Sequence, residues 1–309
     1  MADSVQSDDP LRQELQDLIS DAMAHWDRIQ GETPELLYHY TDVVGLIGIV
    51  TSGTVWASNL RFMNDARELD HASRLMLDVL DMTRERADQP AQHAVIDAIE
   101  GNLRSGVGYP EFYSVSFSAD GDLLGQWRGY GSAGGGYAIG FDPQGLRCPE
   151  TRYPQPARFV NRIIYDKSYQ VEILRGVADA MLELFKDLAA TEPETTEARA
   201  RLFSALGEVA GYVFSFKDPA WAEEREWRAV YVVPHGEHDG VRFRPSGGVA
   251  VPFVTLPMGT DPGGRLPIRR VVQGPAMEPD VSTRSLELLL AGNGYVDTEI
   301  VTSAVPLRF

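Results

Sequence analysis

"LLYHYTDVVGLIGIVTSGTVWASNLRFMNDARE", residues 36–68, is the stretch whose reading decides the fold. Leu36–Thr41 reads as an apolar strand. Thr41 or Asp42 caps a short helix from Val43 to about Thr51, and Gly53 supplies the left-handed residue that ends it. Val55–Asn59 is a second strand. Asn64 and Asp65 are turn chemistry, and helical periodicity resumes at Ala66. The polar groups are out of place for a pure core strand. In an alternating strand His39 and Thr41 share one face and Tyr40 takes the other.

Working outward, residues 1–10 are acidic and without periodicity. Leu11, Leu15, Leu18, Ile19, Met23 and Trp26 then recur at helical spacing, which predicts an amphipathic helix ended by Gly31 and Pro34. Downstream of the opening stretch, residues 91–104 predict a helix and Phe112–Ser118 a strand of period two. Leu123–Tyr130 is a short helical turn, and the glycine-rich Gly131–Asp142 feeds another strand. Phe159–Tyr165 is a strand candidate. Residues 169–190 and 195–216 predict long helices. Glu226–Val233 is a strand, with further strands expected at 240–245, 249–256, 268–273 and 297–302 and a helix at 281–292. Strands and helices do not alternate regularly, so the expectation is α+β rather than a doubly wound parallel sheet. The organisation expected is an acidic tail and helix over 1–34, then a single domain over 35–309.

The chain has 309 residues, 43% of them hydrophobic, and a formal net charge of −17. That length is enough to bury a substantial core. So acidic a chain disfavours a broad grip on nucleic acid or anionic lipid, because phosphate binding needs clustered Lys and Arg; a small local basic pocket is still compatible. The single cysteine, Cys148, rules out an intrachain disulfide and any Cys₄ or Cys₂His₂ zinc site. No metal spacing is found among the six histidines. There is no signal-like N-terminus and no run of 18 apolar residues, so a cytoplasmic protein without a membrane partner is expected.

Three polar clusters interrupt apolar strands. The first is His39-Tyr40-Thr41. The second is Ser114, Ser116 and Ser118, on one face of "FYSVSFS", with Trp127, Arg128 and Tyr130 following in "LLGQWRGYG". Aromatics beside a flexible glycine turn suit a planar ring ligand, and equally suit a helix plugging the core. The third is Glu226 with Arg228 in "EREWRAVY". A carboxylate opening an otherwise apolar strand is exposed, ion-paired or functional. Chains carrying a P-loop, a G-x-S-x-G elbow or an H-E-x-x-H helix are excluded by inventory. Gly134-Gly135-Gly136 precedes a strand, so it is a poor dinucleotide fingerprint.

The ordered set "LYHYT", "VWASNLRFMNDARE", "FYSVSFS", "LLGQWRGYG", "GYAIGFD", "EREWRAVY", "IRRVVQGP" and "TSAVPLRF" resembles the DUF2971 family from about Leu37 to Phe309. That family is grouped with the ADP-ribosyltransferase superfamily. The resemblance implies a split, mixed β-sheet of ADP-ribosyltransferase type with peripheral helices and a cleft for NAD. It also implies transfer of ADP-ribose from NAD, as substrate and with no metal, to a protein, nucleic-acid or small-molecule acceptor, in a toxin or a phage-defence effector. A NAD glycohydrolase and a non-catalytic binding module on the same fold are the alternatives. By the resemblance, His39 is a catalytic residue that binds the NAD ribose and Glu226 is the catalytic Glu, which holds the ribose 2′-hydroxyl and supports the cationic transition state. Tyr130, Tyr137 or Trp127 stacks on nicotinamide. Arg61, with Asn64 and Arg128 behind it, takes the pyrophosphate. Tyr40, Thr41, Ser116 and Ser118 complete the expected cofactor-binding set. His39, Arg61, the serine strand and Glu226 are expected to converge in one hollow.

Overall fold

In a computed structural model of the chain, residues 26, 28–63, 67–105, 111–130, 135–151, 159–184, 214–234, 236–259, 264–275 and 278–306 are described. The expected helix over 11–26, except its last residue, the helix over 195–216 except its end, and the Asn64-Asp65 turn lie outside them.

The opening stretch folds as its sequence dictates. β1 (Leu37–Thr41) leads into α1 (Val43–Ser52). Asp42 is the N-cap, its carboxylate accepting the Gly45 N–H at 2.8 Å, and Gly53 ends the helix at φ 64°. A Cβ on Gly45 would stand 1.9 Å from the Thr41 hydroxyl, so this close approach requires glycine. β2 (Val55–Asn59) follows. The remaining helices are α2 (Arg67–Arg84), α3 (Pro90–Ser105), α4 (Leu124–Tyr130), α5 (Lys167–Leu184) and α6 (Pro279–Gly292).

β3 (Glu111–Ser118) is the trunk of a mixed sheet. Along one edge, β6 (Glu226–Val233) pairs with all of it, Ser118 opposite Glu226 and Ser116 opposite Arg228. The other edge is shared. Ser118 pairs with Tyr38 of β1, whereas Ser114 and Tyr113 pair with Ser58 and Asn59 of β2. A strand has only two edges, so the sheet forks here, with residues 115–117 unpaired in the gap. One arm runs from β1 through β4 (Tyr137–Phe141) and β9 (Ile268–Gln273) to β10 (Glu299–Thr302). The other runs from β2 through β8 (Val249–Leu256) to β7 (Arg242–Ser246). β5 (Val160–Arg162) flanks β6. β9 and β10 are parallel and the other pairs antiparallel. The α+β expectation holds.

Strand alternation gives the sheet two faces of different chemistry. The inner face carries Leu37, Val55, Ala57, Val115, Phe117 and Trp227. It packs on Leu46 and Ile49 of α1 and Leu286 and Leu290 of α6 as the main core. The outer face carries Tyr38, Tyr40, Ser116, Ser118, Glu226 and Arg228, in register across β1, β3 and β6. Trp127 of α4 plugs this face beside Tyr38, Tyr40 and Val272. α2, α3 and α5 form a separate apolar cluster with Trp26 and Phe216, and Gln30 exchanges hydrogen bonds with the backbone of Arg162. Among the described residues, no helix is long and apolar enough to cross a membrane.

Candidate functional site

Glu226 is set in place by a backbone device. The 3₁₀ turn Pro219–Glu224 ends on Arg225, whose φ of 47° puts a non-glycine residue in the left-handed region. That turn throws the chain into β6 with Glu226 as its first residue. The Glu226 N–H donates to the Tyr165 hydroxyl at 3.0 Å, and the Arg225 carbonyl accepts from Ala119 at 3.0 Å, so the turn is held from both sides. Non-glycine strain of this kind persists where the surroundings over-determine it, and it clusters at functional sites.

The Glu226 carboxylate is 5% exposed. Its Oε1 accepts from Arg228 Nη2 at 2.7 Å and Nε at 3.0 Å, and its Oε2 accepts from Lys217 Nζ at 3.1 Å. Lys217 also donates to Glu224 at 2.6 Å and lies over the Trp221 ring, 5.0 Å from its centroid. Burial opposes the Glu226 charge more than any other single effect. Arg228, Lys217 and the Ser116 hydroxyl together overturn it and hold the carboxyl below its ordinary range. Tyr130, at the end of α4, lies within electrostatic reach of this group. Desolvation and then the charges of Glu226 and Glu224 push its hydroxyl pKa up, although the ring is 44% exposed. The result is two acids and two cations within electrostatic reach of a half-exposed tyrosine.

His39 does not join them. It sits on the inner face with Phe117, their ring centroids 6.1 Å apart, while Glu226 is on the outer face with Ser118. This corrects the expected convergence, and the reason is parity: Tyr38, not His39, falls in the row Tyr38–Ser118–Glu226. What His39 does is fill the fork. Its Nδ1 lies 2.9 Å from the Ser116 carbonyl, in the gap where β3 has no strand partner on that edge. A carbonyl only accepts, so Nδ1 carries the proton and Nε2 is the bare nitrogen. Burial lowers the ring's pKa, against the pull of the Ser116 bond, and the imidazole is neutral. Ser116 thus lies between the two groups, its backbone carbonyl held by His39 and its hydroxyl on the same face as Glu226.

Other expected ligand residues turn out to be structural. Trp127 is 1% exposed and donates from Nε1 to Asp122 at 2.8 Å. Tyr40 stacks edge-on against it at 4.8 Å, and its hydroxyl is held between the Asp120 carbonyl and the Leu123 N–H. Tyr137 is buried on the inner face with its hydroxyl 3.5 Å from that of Ser282. All three are closed to a ligand by packing, which leaves Tyr130 as the ring open to one. Thr41 lies against Gly45 on the inner face. Ser118 donates to the Glu224 carbonyl at 2.9 Å, so it anchors the turn before Glu226. Arg128 and Arg61 are exposed, Arg61 in the 3₁₀ turn after β2, and Asn64 lies outside the described residues. The Glu226–Arg228 pair is buried rather than a surface pair.

The sequence reading missed Lys217 and the part played by Glu224. The signal was a lysine inside the apolar "VFSFKDPAW", where a cation is stable only if paired. Among the described residues, no group of three His, Cys, Asp or Glu side chains is placed to hold a metal. No curated protein and no solved structure matches the chain. A family model described as "Protein of unknown function (DUF2971)" does match, over residues 126–229, a span that contains Tyr130, Lys217, Glu224, Glu226 and Arg228 and over which the chain is therefore similar to that family.

Proposed function

We propose that the protein binds NAD over the Tyr130–Glu226 cluster and transfers its ADP-ribose to an acceptor. The observation that carries this reading is a buried, ionised carboxylate beside a half-exposed aromatic ring. The forked mixed sheet, in which β6 carries Glu226 beside β3 and β1, supports the same reading.

In this reading the nicotinamide ring stacks on Tyr130 and the ribose lies towards Glu226. The bond from ribose C1′ to the nicotinamide nitrogen breaks, and nicotinamide leaves with the electron pair. Positive charge builds on the ribose, and a fixed carboxylate in a dry site stabilises it. The acceptor attacks C1′ and loses its proton to water. Glu226 Oε2 is the oxygen available to a ribose hydroxyl, because Lys217 holds it at 3.1 Å and can withdraw while keeping its 2.6 Å bond to Glu224. His39 is then a positioning residue that fixes Ser116, not a ribose ligand.

A second reading has its own observation. Every oxygen of Glu226 is already hydrogen-bonded, which favours a nucleotide-binding module without turnover. The test is NAD binding and nicotinamide release by purified protein with protein, nucleic-acid and small-molecule acceptors, and with water alone. Transfer predicts release above background, a fall of about a hundredfold in Glu226→Gln, and NAD binding weakened about tenfold in Tyr130→Ala. Binding sensitive to Tyr130→Ala with no release selects the second reading. No NAD binding by the folded wild type overturns both.

A further inference from the structure

The second arm of the sheet has a chemistry that the Glu226 cluster does not use. On its outer face Trp56 is 49% exposed and stacks on Phe253, with ring centroids 4.4 Å apart at 28°. The register places Arg242 opposite Phe253 and Arg244 opposite Val251, so both arginines share the face of Trp56 and Ser58. Arg244 leans across β8 to donate to the Ser58 hydroxyl at 3.1 Å, and Arg242 is exposed. The rest of the chain is strongly acidic, yet this face pairs an open indole with two guanidinium groups and carries no acid on its three strands.

The edge of β7 argues against a strand-adding peptide. Pro245 removes a donor from the short row of five residues that the edge offers. A flat indole with flanking arginines is instead the arrangement that holds an unpaired base and its phosphates. Adjacent strands stand about 4.8 Å apart and rise about 3.4 Å per residue; Arg242 and Arg244 are two strands from Trp56 and offset by two and four residues, so their Cα atoms stand about 12 and 17 Å away, the length of two to three nucleotides.

We propose that the open face of β2, β8 and β7 binds single-stranded nucleic acid, Trp56 stacking a base while Arg242 and Arg244 take the neighbouring phosphates. The inference needs no turnover and does not rest on the NAD reading. Because the phosphate contacts are few and the chain is acidic, binding is local and only shallowly salt-dependent, with a slope of log K against log salt of about −1.4, rather than a broad electrostatic grip.

The experiment is fluorescence anisotropy of a labelled oligothymidylate of about twelve nucleotides titrated with the full chain, with melting curves to verify that each variant is folded. Saturable binding is expected below about 100 µM at low salt. Arg242→Glu and Arg244→Glu each weaken it about tenfold. Arg242→Ala lowers the slope of log K against log salt by about 0.7. Trp56→Phe, which keeps an aromatic ring, binds better than Trp56→Ala. Four results each overturn the proposal: no saturable binding; affinity unchanged from wild type in both arginine variants; competition by a polyglutamate peptide as strong as by unlabelled oligonucleotide; or a duplex bound as tightly as the single strand.

Discussion

Removing both members of the Glu226–Arg228 pair should cost clearly less than the sum of removing each. Arg228 is 2% exposed, and besides Glu226 its guanidinium reaches the Phe214 carbonyl at 3.1 Å. In Glu226→Gln the guanidinium loses the charge that repays its desolvation, and Lys217 is left with Glu224 as its acid. Breaking a buried pair in this way costs about 3–5 kcal/mol. With an unfolding entropy of about 2.1 cal/mol/K per residue over 309 residues, that lowers Tm by about 5–8 °C. Arg228→Met should cost a similar amount, because it leaves the acid with Lys217 alone. The double variant Glu226→Gln/Arg228→Met removes both charges and should fall well short of the sum, with an interaction energy of about 1–3 kcal/mol. The assay is calorimetry or circular dichroism on the four proteins at pH 7. Strict additivity, or a Tm change under about 2 °C in either single variant, would show that the pair behaves as a solvated surface contact and would refute the electrostatic account of the site. The same linkage has a sign in pH. The Glu226 pKa is lowered in the fold, so its contribution is present above the ordinary carboxylate range and is lost as pH falls through the folded value.

His39 works in the other direction along the same axis. Its pKa is lowered by burial, so the unfolded chain binds the extra proton first, and stability falls as pH drops below about 6.5; His39→Asn should flatten that part of the stability–pH curve measured by denaturant unfolding, and an unchanged slope would sink the neutral-imidazole assignment. At Gly140, where a Cβ would meet the Tyr38 ring at 2.9 Å and Arg270 Cβ at 3.3 Å, alanine should destabilise the protein by about 1–3 kcal/mol in the same assay, and a neutral result would mean that Tyr38 moves freely over β1 and β4.

Elements came through from sequence where local rules are strong. The strand–cap–helix–glycine–strand order of residues 37–59 follows from alternation, the Asp42 cap and the left-handed Gly53, and β6 was legible because eight residues in a row suit a buried strand. Glu226 stood out for the same reason, as a charge in an apolar run. Lys217 stood out less, because its partners Glu224 and Glu226 are set by a 3₁₀ turn whose left-handed Arg225 has no clear signature in sequence. The roles of Trp127 and Tyr137 could not be separated from that of Tyr130, since three aromatics near a glycine-rich loop look alike until packing decides which are covered.

Periodicity acts over a few residues, and it alone determined that the chain is α+β, where its strands and caps fall, and that His39 and Glu226 are unusual in their strands. Which face each of them takes depends on pairing across β3. There a register offset of one residue sends one side chain to the core and its neighbour to the other side. Only the tertiary fold set that register. It set Tyr38 rather than His39 in line with Glu226, and it sealed the acid against Arg228 and Lys217, because contacts between residues far apart in the chain are fixed by packing and not by local preference.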